Sequence, residues 1–150
     1  MTNAETYALT EIVWRIESWQ KSDLYTLDLD PDFQRVHVWT ETQQIEFIEF
    51  LASGGRTHPI LFNRNEGDIV LVDGKQRLTA ILKFLADDLI IFGQYKASNF
   101  DDLFNIEVLF QYAELKDKNA IIDWYIAMNT GGTVHTQEDI ELAKSCKTAQ

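Results

Sequence analysis

A chain of 150 residues, 45% hydrophobic and 25% charged, has the size and balance of one domain able to bury a core. Its nine Phe, five Tyr and four Trp exclude a disordered chain. A net charge of −11 opposes non-specific DNA binding, which depends on Lys and Arg neutralising phosphates.

No apolar run reaches membrane length, and the Met1-Thr2-Asn3-Ala4 start lacks a signal peptide's basic and apolar regions, so no membrane partner is expected. The single cysteine, Cys146, fits a reducing cytoplasm and reads as an incidental thiol in a polar tail. His37, His58 and His135 have no ligand spacing with each other or with Cys146, so no transition-metal site is expected.

In chain order, Leu9, Ile12, Val13 and Ile16 place an amphipathic helix over residues 6–19, with Trp14 and Trp19 along its margins. Leu24 to Leu29 reads as a short strand ended by Asp30-Pro31. The carboxylates of Asp28, Asp30 and Asp32 around that exit read as solvated turn residues rather than Mg²⁺ ligands. Thr40-Glu41-Thr42-Gln43 is a capping box opening a helix with Ile45, Ile48 and Leu51 inward, stopped by Gly54-Gly55.

Residues 60–63 and 69–72 form a hairpin around a polar loop, and its second strand feeds a helix over residues 76–86. Leu89 to Phe92 and Ile106 to Phe110 are further strand candidates. Residues 94–105 form a loop with room for one helical turn. Asp117 to Met128 is a helix, and Thr136-Gln137-Glu138-Asp139 caps a last short one. No repeat or linker divides residues 1–150. Strands and helices mix without strict βαβ alternation, so one α+β domain is expected.

The most informative stretch is Val70-Leu71-Val72-Asp73-Gly74-Lys75-Gln76-Arg77-Leu78-Thr79-Ala80. Leu78, Ile81, Leu82 and Leu85 give the following helix one apolar face, so the Asp-Gly turn sits at a helix N-terminus. Unpaired N–H groups and the positive dipole end favour an anion there. Lys75 and Arg77 add cations, and Gln76 both donates and accepts. The same strand–turn–helix is also ordinary connecting chemistry, with Gly74 supplying a positive φ and Asp73 a helix cap.

Two further blocks accompany it: Pro31-Asp32-Phe33-Gln34-Arg35 with Trp39, and Met128-Asn129-Thr130-Gly131-Gly132-Thr133. The ordered triplet resembles the DGQQR-motif family, the ParB/sulfiredoxin-like domain at the N-terminus of GmrS-type restriction subunits. The resemblance implies a small mixed sheet with a hairpin and flanking helices.

It also implies a nucleoside triphosphate site, with Mg²⁺ and no specified base, in a protein of restriction, phage defence or partition. Asp73, Gly74, Gln76 and Arg77 match the central box, Gln34 and Arg35 the first block, and Asn129, Gly131 and Gly132 the third. Lys75, standing where the family has Gln, and Thr130, inside the third block, complete the implied nucleotide-binding set. Arg77 and Arg35 are the candidate phosphate clamps. Asp73 is a candidate for holding Mg²⁺ or orienting an attacking water. Asn129 suits a base, ribose or phosphate, and Gly131 and Gly132 allow close backbone approach.

Partners implied are a nucleotide, then DNA or a restriction or partition protein, with a homodimer left open. The alternatives are a DNA-nicking enzyme and a catalytically silent regulator of such a complex. The resembling restriction subunits continue into a helical region and a nuclease domain, so cleavage that needs those parts is not expected of this segment.

Overall fold

The computed structural model describes residues 2–33, 38–130 and 137–147. Five strands form one mixed sheet: β1 (Thr2–Ala8), β2 (Thr26–Asp28), β3 (Ile60–Asn65), β4 (Asp68–Asp73) and β5 (Glu107–Ala113). Their spatial order is β1-β5-β3-β4-β2. β1 runs antiparallel to β5, β3 and β4 are the expected antiparallel hairpin, and β3–β5 and β2–β4 are parallel pairs. The helices are α1 (Leu9–Lys21), α2 (Glu41–Ala52), α3 (Lys75–Leu85), α4 (Lys118–Thr130) and α5 (Gln137–Ser145).

Strand alternation divides the core in two. Ile60, Phe62, Ile69 and Leu71 join Val108, Phe110 and Tyr112 in the larger cluster. The apolar stripes of α1 (Leu9, Ile12, Ile16, Trp19), α2 (Ile48, Leu51) and α3 (Leu78, Ile81, Phe84) cover it. Leu61 and Val72 point the other way, into a smaller cluster with Phe33, Ile122 and Tyr125 of α4, and Ala143 of α5. Each fully buried side chain of this kind stabilises by roughly 1.5–3 kcal/mol. The smaller cluster therefore holds Phe33, the middle residue of the Pro31–Arg35 block, firmly against the sheet.

The Thr40 capping box is present: Gln43 N–H donates to Thr40 Oγ1 and Thr40 N–H to Gln43 Oε1. Three expectations are corrected. Residues 2–8 form an edge strand, so α1 starts at Leu9 and not within residues 6–8. Leu89–Phe92 is not a strand. Phe92 (φ 52°) and Gly93 (φ 71°) turn the chain back, leaving only an Ile91–Tyr95 bridge, so the apolar run fills a turn packed on the core. Trp14 is 64% exposed while Trp19 is buried against Phe62, because only Trp19 continues the Leu9-Ile12-Ile16 stripe.

Candidate functional site

β2 and β4 are neighbouring parallel strands with Asp28 opposite Val70, so the chain leaves both at the same end of the sheet. From β2 emerge residues 29–33. From β4 emerges the Asp73-Gly74 turn, which enters α3 at once. Gly74 has φ 109°, and a Cβ there would lie 3.0 Å from the Arg77 guanidinium and 3.1 Å from Ile60. Only glycine makes this turn without strain. As N-cap it brings no side chain to the first amides, and no acidic residue stands in the first turn of α3. Among the described residues, neither an N-cap side chain nor a first-turn acid meets the positive end of the helix.

The central box divides by role. Arg77 is turned inward: it donates to Thr57 Oγ1 (3.1 Å), the His58 carbonyl, the Pro59 carbonyl (3.3 Å) and Asp73 Oδ2 (3.3 Å). The Arg77 and Asp73 side chains are only 12% and 9% exposed. This planar fork ties the α2–β3 connection to the start of α3. Asp73 serves that pair, and the N-cap position belongs to Gly74. Gln76 is buried, and its Oε1 accepts from Trp39 N–H at 2.9 Å, which joins the central box to the first block. Trp39 packs its ring against Phe47 of α2, with centroids 5.4 Å apart.

Lys75 is the outward-facing cation of the box, and its ammonium donates to Asp30 Oδ1. The neighbouring Asp32 accepts from Lys118 Nζ at 2.7 Å, and this hydrogen bond raises the Lys118 pKa above its ordinary value. The Cys146 thiol donates to the Asp32 carbonyl at 3.3 Å, so Cys146 is a half-buried anchor of α5 rather than a free tail residue. Beside these groups lies a cavity of about 520 Å³, lined by Asp30, Pro31, Asp32 and Phe33, with Asn63 and Val70 on its sheet wall and Lys118 and Ile121 on α4.

The structure thus brings Gly74, Lys75, Gln76 and Trp39 to one end of the sheet beside Pro31-Asp32-Phe33. Asn129 and Thr130 close α4, and their side chains, like Gln34, Arg35, Gly131 and Gly132 as a whole, lie outside what is described. Sequence reasoning missed Lys118 and the two aspartate–lysine pairs. The pairing partners sit 45 and 86 positions apart, and no local spacing announces them. Among the described residues, no group of three His, Cys, Asp or Glu side chains is placed to hold a metal ion.

A profile of the GmrSD restriction endonuclease N-terminal domain matches residues 16–120, which takes in the first two blocks but not the third. Among solved structures, a Pnob8-like ParB-N domain superposes with a TM-score of 0.46 at 13% identity. That superposition covers 94% of this chain and 42% of the other, so the chain spans less than half of that structure's length. No curated protein sequence matches it.

Proposed function

The chain belongs to the family of GmrSD restriction endonuclease N-terminal domains, and from that premise we propose that the Asp73–Arg77 turn is a nucleoside triphosphate site serving a restriction system. One observation carries the reading. The glycine-capped start of α3, with Lys75 outward, lies beside the end of β2, where the first block begins. Helix amides and an ammonium converging at neighbouring strand ends offer what a phosphate chain needs.

In this reading Lys75 and the first-turn amides of α3 take phosphate oxygens, and Gln76 fixes the first block through Trp39. Arg35 supplies a second cation and Gln34 a hydrogen bond, while Asn129, Thr130, Gly131 and Gly132 contact base, ribose or phosphate. Arg77 and Asp73 hold the turn in shape. Mg²⁺ arrives on the triphosphate, because such sites share their ligands with the phosphates. Hydrolysis is the second half of the proposal. Phosphoryl transfer depends chiefly on positioning and charge stabilisation, and this turn offers both.

The test is a thermal-shift series with ATP, GTP, CTP and UTP, each with and without Mg²⁺, on the native chain and on Lys75→Gln. A ligand at a hundredfold excess over Kd adds about 2.7 kcal/mol. For a chain of this size that raises Tm by roughly 5–10 °C. A rise with at least one triphosphate, reduced in Lys75→Gln, is expected. No rise with any of the four overturns the proposal. Phosphate release by the triphosphate that binds then tests hydrolysis.

A further inference from the structure

The proposed phosphate cation is not free. Lys75 already carries a carboxylate, that of Asp30, and the pair bridges the ends of the two parallel strands. We propose that Asp30 is a displaceable internal counter-ion that occupies Lys75 until a phosphate replaces it, and so sets the affinity of the site. This inference rests on the nucleotide reading above.

Three features of the pair argue for exchange rather than a fixed strut. The Asp30 side chain is 75% exposed, against 9% for Asp73 in the neighbouring Asp73–Arg77 pair. A carboxylate so hydrated loses little on swinging into water, and exposed pairs are weak for that reason. The Asp30 backbone is held independently, with its N–H donating to Asp28 Oδ1 at 2.9 Å, so release of the side chain need not unfold the turn. The next aspartate, Asp32, faces a different lysine, Lys118 on α4, with Pro31 fixing the backbone between them. Asp30 and Asp32 are alike in charge and close in sequence, yet only Asp30 sits on the cation of the α3 turn.

The consequence is competition. Phosphate binding at Lys75 must break one ion pair to form another, and the carboxylate stays nearby to repel the incoming anion. Both costs are electrostatic and salt screens them, the Debye length shrinking from about 30 Å at 0.01 M to about 3 Å at 1 M. Removing the Asp30 charge should therefore tighten phosphate binding most at low ionic strength.

The experiment measures Kd for inorganic tripolyphosphate and for the four nucleoside triphosphates with Mg²⁺, at low and high salt. It compares the native chain with Asp30→Asn, Asp32→Asn, Lys75→Gln and the Asp30→Asn/Lys75→Gln double variant. Asp30→Asn is expected to bind about three- to tenfold tighter at low salt and less so at high salt. The gain should vanish in the Lys75→Gln background, and Asp32→Asn should change binding less than about twofold, because exposed pairs away from the ligand contribute little. Native-chain binding with no gain in Asp30→Asn, or a gain that survives Lys75→Gln, overturns the counter-ion proposal and leaves the nucleotide reading standing. No binding by either the native chain or Asp30→Asn overturns both.

Discussion

Arg77→Met removes the guanidinium and keeps most of the aliphatic stem, so it isolates what the fork does. In the native structure that fork reaches Thr57, the carbonyls of His58 and Pro59, and Asp73. Its loss takes from the Asp73 carboxylate, 9% exposed, the cation of their i,i+4 ion pair. Breaking a buried pair from one side costs about 3–5 kcal/mol, and carbonyls that lose a donor add about 1 kcal/mol each where water does not replace it. The residual exposure of both groups favours the lower part of that range, about 3–4 kcal/mol. Urea unfolding followed by circular dichroism reads this as a lower midpoint at unchanged m. Adding Asp73→Asn should return part of the loss, since the desolvated carboxylate charge goes with it. A cost below about 1 kcal/mol for Arg77→Met would refute the strut and return Arg77 to the role of a free phosphate clamp.

Other outcomes follow from the same geometry. Gly74→Ala should cost more than about 1 kcal/mol, because a Cβ at φ 109° also meets Ile60 and Arg77, whereas Gly54→Ala, at φ 91° with nothing within 4 Å, should carry the backbone strain alone; comparing the two unfolding midpoints checks this. Thr40→Ala should lower stability by about 1 kcal/mol through loss of the capping box, read by the same titration. Burial, and then the hydrogen bond to Glu5, raises the pKa of Tyr7; burial, and then the bond to Tyr7 at 3.1 Å, raises that of Tyr112. Both phenols hold their protons more tightly when folded, so their stabilisation is complete below pH 10 and declines as pH rises from there toward the folded values. Between pH 10 and 11 the native chain should lose up to about 1.4 kcal/mol more than Tyr112→Phe, and equal losses would contradict the shift.

The parts of the fold legible in the sequence are those whose signals are local. Leu9, Ile12 and Ile16 repeat at the helical period, and Thr40 and Gln43 stand at the spacing of a capping box. Both features are present in the structure. β1 was not legible for a physical reason. As an edge strand it pairs, among the described residues, with β5 alone, most of its side chains face water, and Thr2-Asn3-Ala4-Glu5 carries no apolar alternation. Leu89–Phe92 misled in the opposite direction, because β-rich composition shows burial and not the backbone path. Phe92, with φ 52°, is held in its turn by its own N–H donating to Glu49 at 2.6 Å, a contact 43 positions away.

The central box shows the same limit at the level of chemistry. Asp73, Gly74, Lys75, Gln76 and Arg77 read as one cluster of polar groups around an anion, since a sequence gives type and spacing but no direction. Helix geometry then separates them. Arg77 lies one turn beyond Asp73, so the two meet as an i,i+4 pair and point together at the backbone of residues 57–59. Gln76 projects to the Trp39 amide, and Lys75, at the first helical position, swings toward the end of β2. The most charged residues of the motif are therefore not equivalent: Arg77 shapes the turn from within, and Lys75 presents charge from it. Loss of phosphate binding in an Arg77 variant would not separate a lost contact from a collapsed turn. Lys75 and Asp30 are where charge can be changed while the frame stands.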